Sequence, residues 1–190
     1  MKYSGLIAVM LLLVSCSNPR TYTFELSGEI SEGPSEEPTA SLDMYQDACD
    51  SDAEVFTSAG FNLNVEPRLV KEPGQADSPN ELYVALDSVR IQYEPKQNAF
   101  GVAGPAIEDL VVTSVSQRDL KVNAQNETNF LFLTLDQKSR WREDQGDDAG
   151  EIFLYDYTMT LTFNLDADGN DTQEEVFKGT FEAGHFDKCD

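Results

Sequence analysis

The sequence predicts an all-β chain folded as an antiparallel β-sandwich, and three observations carry that expectation. Apolar and polar residues alternate along several separate stretches, the period of two that marks half-buried strands. Clusters of Gly, Pro, Asn and Asp part these stretches every ten or so residues, the rhythm of a two-sheet β domain. No segment sustains a helical period; "PTASLDMYQDACDS" has room for one short helical turn at most.

In chain order, "TYTFELSGEI" alternates through Tyr22, Phe24 and Leu26, and "AGFNLNVEP" through Phe61, Leu63 and Val65 before Pro67 closes it. "ELYVALDSVRIQYEP" puts Leu82, Val84 and Leu86 on one phase, then Val89, Ile91 and Tyr93 on the other. A change of phase within one strand marks a β-bulge, here around Asp87 and Ser88. "NFLFLTL" is apolar on both phases, as suits a strand buried on both faces or crossing a sheet edge. "EIFLYDYTMTLTFNL" aligns Phe153, Tyr155, Tyr157, Met159, Leu161, Phe163 and Leu165 on one face. "EEVFKGTFEAGHF" returns with Phe177, Gly179, Phe181 and Ala183 in phase. Between these two runs, "DADGND" holds an Asp-Gly pair, a strong local hairpin signal. There are no internal repeats.

Two stretches read as loops. Residues 31–54 carry eight acidic side chains, no basic one, and Pro34 and Pro38, the composition of a segment that can stay unfolded. Residues 71–80, "KEPGQADSPN", hold two prolines and a glycine. The remainder from residue 21 to residue 190 is the size of one ordinary domain with a real core. The strand rhythm is similar to the immunoglobulin-like sandwich and loosely resembles uncharacterised Ig-like lipoprotein domains of bacteria. Cys49 and Cys189 stand much wider apart than the inter-sheet cysteine pair of that fold, and the rhythm carries no site residues.

The N-terminus carries a separate signal. Lys2 precedes the apolar run Leu6 to Val14, about half of the ~20 residues a membrane-crossing helix needs. Such a run at the start of a chain reads as an export signal rather than a membrane anchor. Leu13-Val14-Ser15-Cys16 resembles the lipobox of bacterial lipoproteins: an aliphatic residue, a small residue before the cut, then cysteine. The resemblance implies removal of residues 1–15, thioether lipidation of Cys16, and a tether over residues 16–20. Two or more acyl chains give stable anchoring, at about 0.8 kcal/mol per buried CH₂. Ser17, where an Asp would signal retention at the inner membrane, implies the outer membrane of the cell envelope.

Charge excludes other partners. Against 13 Lys and Arg stand 35 Asp and Glu, a formal net charge of −22. A surface this acidic repels phosphate backbones, so nucleic acid is excluded. Solubility or salt adaptation accounts for the acidity on one reading, and divalent-cation binding on the other. With Cys16 lipidated, Cys49 and Cys189 remain, in a compartment that permits disulfides. Their bond would close a loop of about 140 residues and contribute up to about 5 kcal/mol in the chain-entropy model.

Candidate sites are sparse. Asp166, Asp168, Asn170 and Asp171 offer oxygen ligands of the sort calcium loops use, in a segment that also reads as a plain hairpin turn. The likeness to an EF-hand loop stops at Asp166, Asp168 and Asn170, because Asp171 replaces the turn glycine and Phe177 the bidentate glutamate. A second acidic cluster, Glu143, Asp144, Asp147 and Asp148, is expected at the opposite end of the sandwich. Trp141, between Arg140 and Arg142, reads either as an exposed aromatic contacting a ligand or as a core residue anchoring a loop. His185 is the single histidine, and no Gly-x-Ser-x-Gly elbow occurs, so no catalytic group is assigned. The expectation is a non-enzymatic structural or interaction protein of the envelope, with an envelope protein or glycan as partner and no obligatory cofactor. The alternative is a calcium-assisted domain binding carbohydrate or protein.

Overall fold

The computed structural model describes residues 21–32, 38–39, 41–44, 58–70, 81–97, 101–145, 154–166 and 172–184. Among the described residues ten strands and one helix follow one another: β1 (Thr21–Glu32), β2 (Pro38–Thr39), β3 (Ser41–Asp43), β4 (Ala59–Val70), β5 (Tyr83–Pro95), β6 (Leu110–Val112), β7 (Asp119–Lys121), β8 (Asn126–Leu133), α1 (Leu135–Gln145), β9 (Leu154–Asp166) and β10 (Thr172–Gly184). They form two sheets packed face to face, the all-β sandwich the alternation foretells. One sheet runs β2-β1-β4-β8; the other runs β3-β10-β9-β5-β6, with β7 also paired to β5.

The core is made by the inward phase of each long strand. Phe61, Phe130 and Phe132 of the first sheet meet Phe177, Phe163 and Phe181 of the second at ring-centroid distances of 5.8, 6.2 and 5.4 Å. Rings at these separations add about 0.5–1.5 kcal/mol each beyond simple burial. The alternating run of β9 is buried from Tyr155 to Leu165, as its period requires. β9 and β10 pair antiparallel from Leu154–Gly184 to Asp166–Thr172, so a hairpin joins them across "DADGND".

The bulge lies where the phase change puts it. Against β9, Leu86 pairs with Leu165 and Ser88 with Asn164, so Asp87 is the extra residue. The shift turns Val89, Ile91 and Tyr93 back towards the core. The doubly apolar run in β8 has a related cause. A register irregularity against β4 separates Leu131, opposite Gly60, from Leu133, opposite Ala59. Phe132 therefore leaves the ladder, and its carbonyl accepts the Tyr93 hydroxyl instead.

Several elements depart from the sequence reading. Strand β4 continues through Pro67 to Val70, because β8 begins only opposite Val65. The Pro67 carbonyl faces that side and accepts the Asn123 N–H, so the missing proline N–H faces no ladder partner. The acidic stretch 31–54 contains the end of β1, all of β2 and all of β3. Leu42 and Met44, fully buried, draw that part of it onto the sandwich. β3 pairs parallel with β10, so the second sheet is not wholly antiparallel. The largest departure is α1, where no helix was expected. Its polar sequence hides any helical period, and tertiary contacts at three buried positions, Gln137, Lys138 and Trp141, hold it.

Candidate functional site

The sequence-derived candidates scatter. Trp141 is not an exposed contact residue. It is 1% exposed, on α1 rather than a loop, and donates its indole N–H to the Tyr157 hydroxyl at 2.6 Å. Tyr157 donates its own hydroxyl to the Pro105 carbonyl at 2.8 Å, and Tyr155 packs edge-on against the indole at 6.0 Å. Burial pushes the Tyr157 phenol up to about 12, partly offset by the Trp141 hydrogen bond. This cluster is structural. It seals α1 over one end of the sandwich.

Asp166 ends β9 beside the start of β10, while Asp168, Asn170 and Asp171 lie outside the described residues, as do Cys16, Cys49, Cys189 and His185. Among the described residues, no three His, Cys, Asp or Glu side chains gather closely enough to hold a metal. Glu143 and Asp144 belong to α1, which follows β8 at the end opposite Asp166. The thirteen residues of β9 hold Asp166 apart from Glu143 and Asp144, while Asp147 and Asp148 lie outside the described residues.

The site that the topology does build is a groove of about 1050 Å³ on the outer face of the first sheet. Strand alternation makes its floor. Ser31, Gly60 and Leu131 form one cross-strand row, and Asn62 and Asn129 are direct partners in the next. Gly60 keeps the floor low: a Cβ there would come within 3.2 Å of the Ser31 hydroxyl. The wall is the chain from Leu110 to Ser116, which leaves β6 at the edge of one sheet and crosses to the edge of the other. Leu135, opening α1, closes the end.

That crossing is fixed by hydrogen bonds along the β8 edge. The Ser116 N–H donates to the Asn129 carbonyl at 2.9 Å, and the Asn129 N–H returns to the Ser116 hydroxyl at 2.8 Å. The Gln117 N–H donates to the buried Thr128 hydroxyl at 3.1 Å. Asn126, also buried, accepts the Lys121 N–H and donates to the carbonyls of Val65, Lys121 and Ala124, holding β7, β4 and β8 together. The edge of β8 is thereby occupied from Thr128 to Phe130.

Among the described residues no charged side chain lines the groove, although the chain carries 35 acids. Its surface mixes hydroxyls and amides with three exposed aliphatic side chains, Val111, Leu131 and Leu135. The sequence reading missed this site. Its wall, "VVTSVSQ", holds only the three-residue β6, too short for an alternation signal, and its floor residues sit on the polar phase of strands read for their apolar phase. The available signal was compositional: an uncharged, hydroxyl-rich stretch in a strongly acidic chain. No protein-family model, curated protein or solved structure matches the chain.

Proposed function

We propose that this chain is a lipid-anchored, non-enzymatic interaction module of a bacterial cell envelope, held at the outer membrane through Cys16, with an immunoglobulin-like sandwich that presents the groove to a partner. One observation carries the reading. β1 begins at Thr21, next to the proposed tether, and reaches the groove only at Ser31. A strand of twelve residues spans roughly 35–40 Å, so the groove stands at the end remote from the anchor. The lipobox-like Leu13-Val14-Ser15-Cys16 supplies the anchor in this reading.

A Cys49–Cys189 disulfide is part of the same proposal. Its support is the parallel pairing of β3 with β10, in which Asp43 stands opposite Gly184 and the Met44 N–H donates to the Gly184 carbonyl at 2.8 Å. Two parallel strands leave a sheet in the same direction from adjacent positions. Cys49 follows six residues after Asp43 and Cys189 five after Gly184.

The calcium-assisted alternative draws less support. The Gln173 amide donates to the Tyr22 carbonyl at 3.3 Å, which sets the β9–β10 hairpin at the tether end. An ion held there would brace the hairpin and would not bridge a ligand in the groove.

The test is metabolic labelling with a palmitate analogue, followed by membrane fractionation. The wild-type chain is expected to take label and sediment with membranes, and Cys16→Ser to do neither. Equal labelling of both, or a Cys16→Ser chain that stays with membranes, overturns the anchored reading.

A further inference from the structure

We infer that the groove takes an uncharged glycan chain, an assignment that rests on the interaction-module reading and gives its partner a chemistry. Charge narrows the choice first. With a net charge of −22 the molecule repels phosphates and acidic polymers, and among the described residues the lining holds no carboxylate to pair with a cation, Glu29 standing opposite Asn62 at its border. A neutral ligand is what remains.

Backbone geometry narrows it again. An extended peptide adds to a sheet by pairing with an open edge. The β8 edge that borders the groove already has Ser116 and Gln117 bonded along it. Along that edge recognition must come from side chains, and those are hydroxyls and amides interleaved with aliphatic groups.

The pair Asn62 and Asn129 is the centre of the site. They are direct cross-strand partners on the outward phase, so their amides stand side by side, about 4.5–5.5 Å apart at Cβ. Each amide offers both donors and an acceptor, which matches neighbouring sugar hydroxyls that also donate and accept. Leu131, Val111 and Leu135 supply apolar contact for the C–H faces of a sugar ring. The volume lies at the upper end of the ~300–1,000 Å³ usual for small-ligand sites, enough for more than one ring. Phe130, the one aromatic among the described lining residues, is 4% exposed and stacks on Phe61 at 5.4 Å, so it offers no open ring face. Binding is therefore weak, roughly millimolar.

Affinity electrophoresis of the full chain in mild detergent tests this. Native gels are cast with laminarin, dextran, xylan or mannan as neutral probes, polygalacturonate as the anionic probe, and a soluble lysine–valine peptide as competitor. The expected result is retardation by at least one neutral polysaccharide and none by polygalacturonate. The double variant Asn62→Ala, Asn129→Ala and the single variant Leu131→Glu should each lose at least tenfold in apparent affinity while melting like the wild type. All of these positions are on the outer face, so folding is not at stake. Retardation by no neutral probe, retardation unchanged in the variants, or displacement by the peptide overturns the glycan assignment. Those outcomes leave the Cys16 labelling result standing, so the two failures are distinguishable.

Discussion

Single residues show how sequence pattern becomes a constraint. Gly28 lies on the inward phase of β1, opposite Leu63, and the Phe61 ring occupies the space its side chain would take. A Cβ there would also meet the Asn62 carbonyl at 2.8 Å, and that backbone cannot move aside cheaply. Gly28→Ala is expected to cost about 1–3 kcal/mol by overpacking, read from denaturant melts. A neutral Gly28→Ala would mean that Phe61 has a second rotamer available. Tyr157 gives a pH prediction with a definite sign. Its phenol rises from 10.0 in the free residue to about 12, chiefly through burial. The unfolded chain therefore loses this proton first, so the contribution to stability is complete below about pH 10 and is lost as pH rises towards 12. The loss is at most about 3 kcal/mol. Tyr93, whose ionisation burial also pushes upward, adds in the same direction. Tyr157→Phe should flatten the alkaline decline between pH 10 and 12 while lowering neutral-pH stability by about 1–3 kcal/mol, because the Pro105 carbonyl and Trp141 indole lose their partner. An alkaline decline as steep in the variant as in the wild type would refute the assignment.

Elements differ in how much of themselves they write into the sequence. β1, β4, β5, β9 and β10 are long and half-buried, so alternation reveals them, and even the Asp87 bulge leaves its trace as a change of phase. β2, β3, β6 and β7 run two or three residues each, shorter than the window in which any period can be seen. α1 is illegible for another reason. Its inward side is Gln137, Lys138 and Trp141, two of them polar, and their partners come from distant chain. The Gln137 amide donates to the Glu108 carbonyl at 2.7 Å, and Lys138 Nζ to the Asp43 carbonyl at 2.7 Å. Thr134 and Gln137 supply a reciprocal cap at the helix start, the one local signal present. Because tertiary contact rather than propensity makes this helix, Trp141→Ala should cost about 3–5 kcal/mol, and circular dichroism should show the helical signal lost before the sheet melts. A helix that survives the substitution would show that its polar contacts suffice. The parallel β3–β10 pair is the other element the sequence conceals, and it brings the cysteine prediction into structural terms. Intact mass of the unreduced protein should be two hydrogens short, and Cys189→Ser should lower stability by about 2–5 kcal/mol. Two alkylatable thiols in untreated protein would exclude the bond.

At the scale of the whole molecule, direction is the property that matters. The sandwich has unlike ends. Thr21, Val70 and the β9–β10 hairpin share one, while the groove, α1 and the junction of β3 with β10 share the other. If Cys16 carries the acyl chains, residues 17–20 can extend at most about 14 Å at ~3.5 Å each, so the first end is held against the headgroups. Exposed residues at each end make this measurable. Val70, 43% exposed, lies opposite Thr21, and Leu135, 46% exposed, lines the groove. Val70→Cys and Leu135→Cys variants of the lipidated chain, reconstituted into vesicles with a headgroup-attached quencher, each accept one thiol-reactive dye. The unsubstituted chain should accept none if Cys49 and Cys189 are bonded. Fluorescence from position 70 should be strongly quenched and that from position 135 nearly unaffected, because quenching of this kind fades within a few nanometres and β4 alone separates the sites by roughly 35–40 Å. Equal quenching would lay the sandwich flat on the bilayer and turn the groove from an outward-facing contact surface into a lateral one.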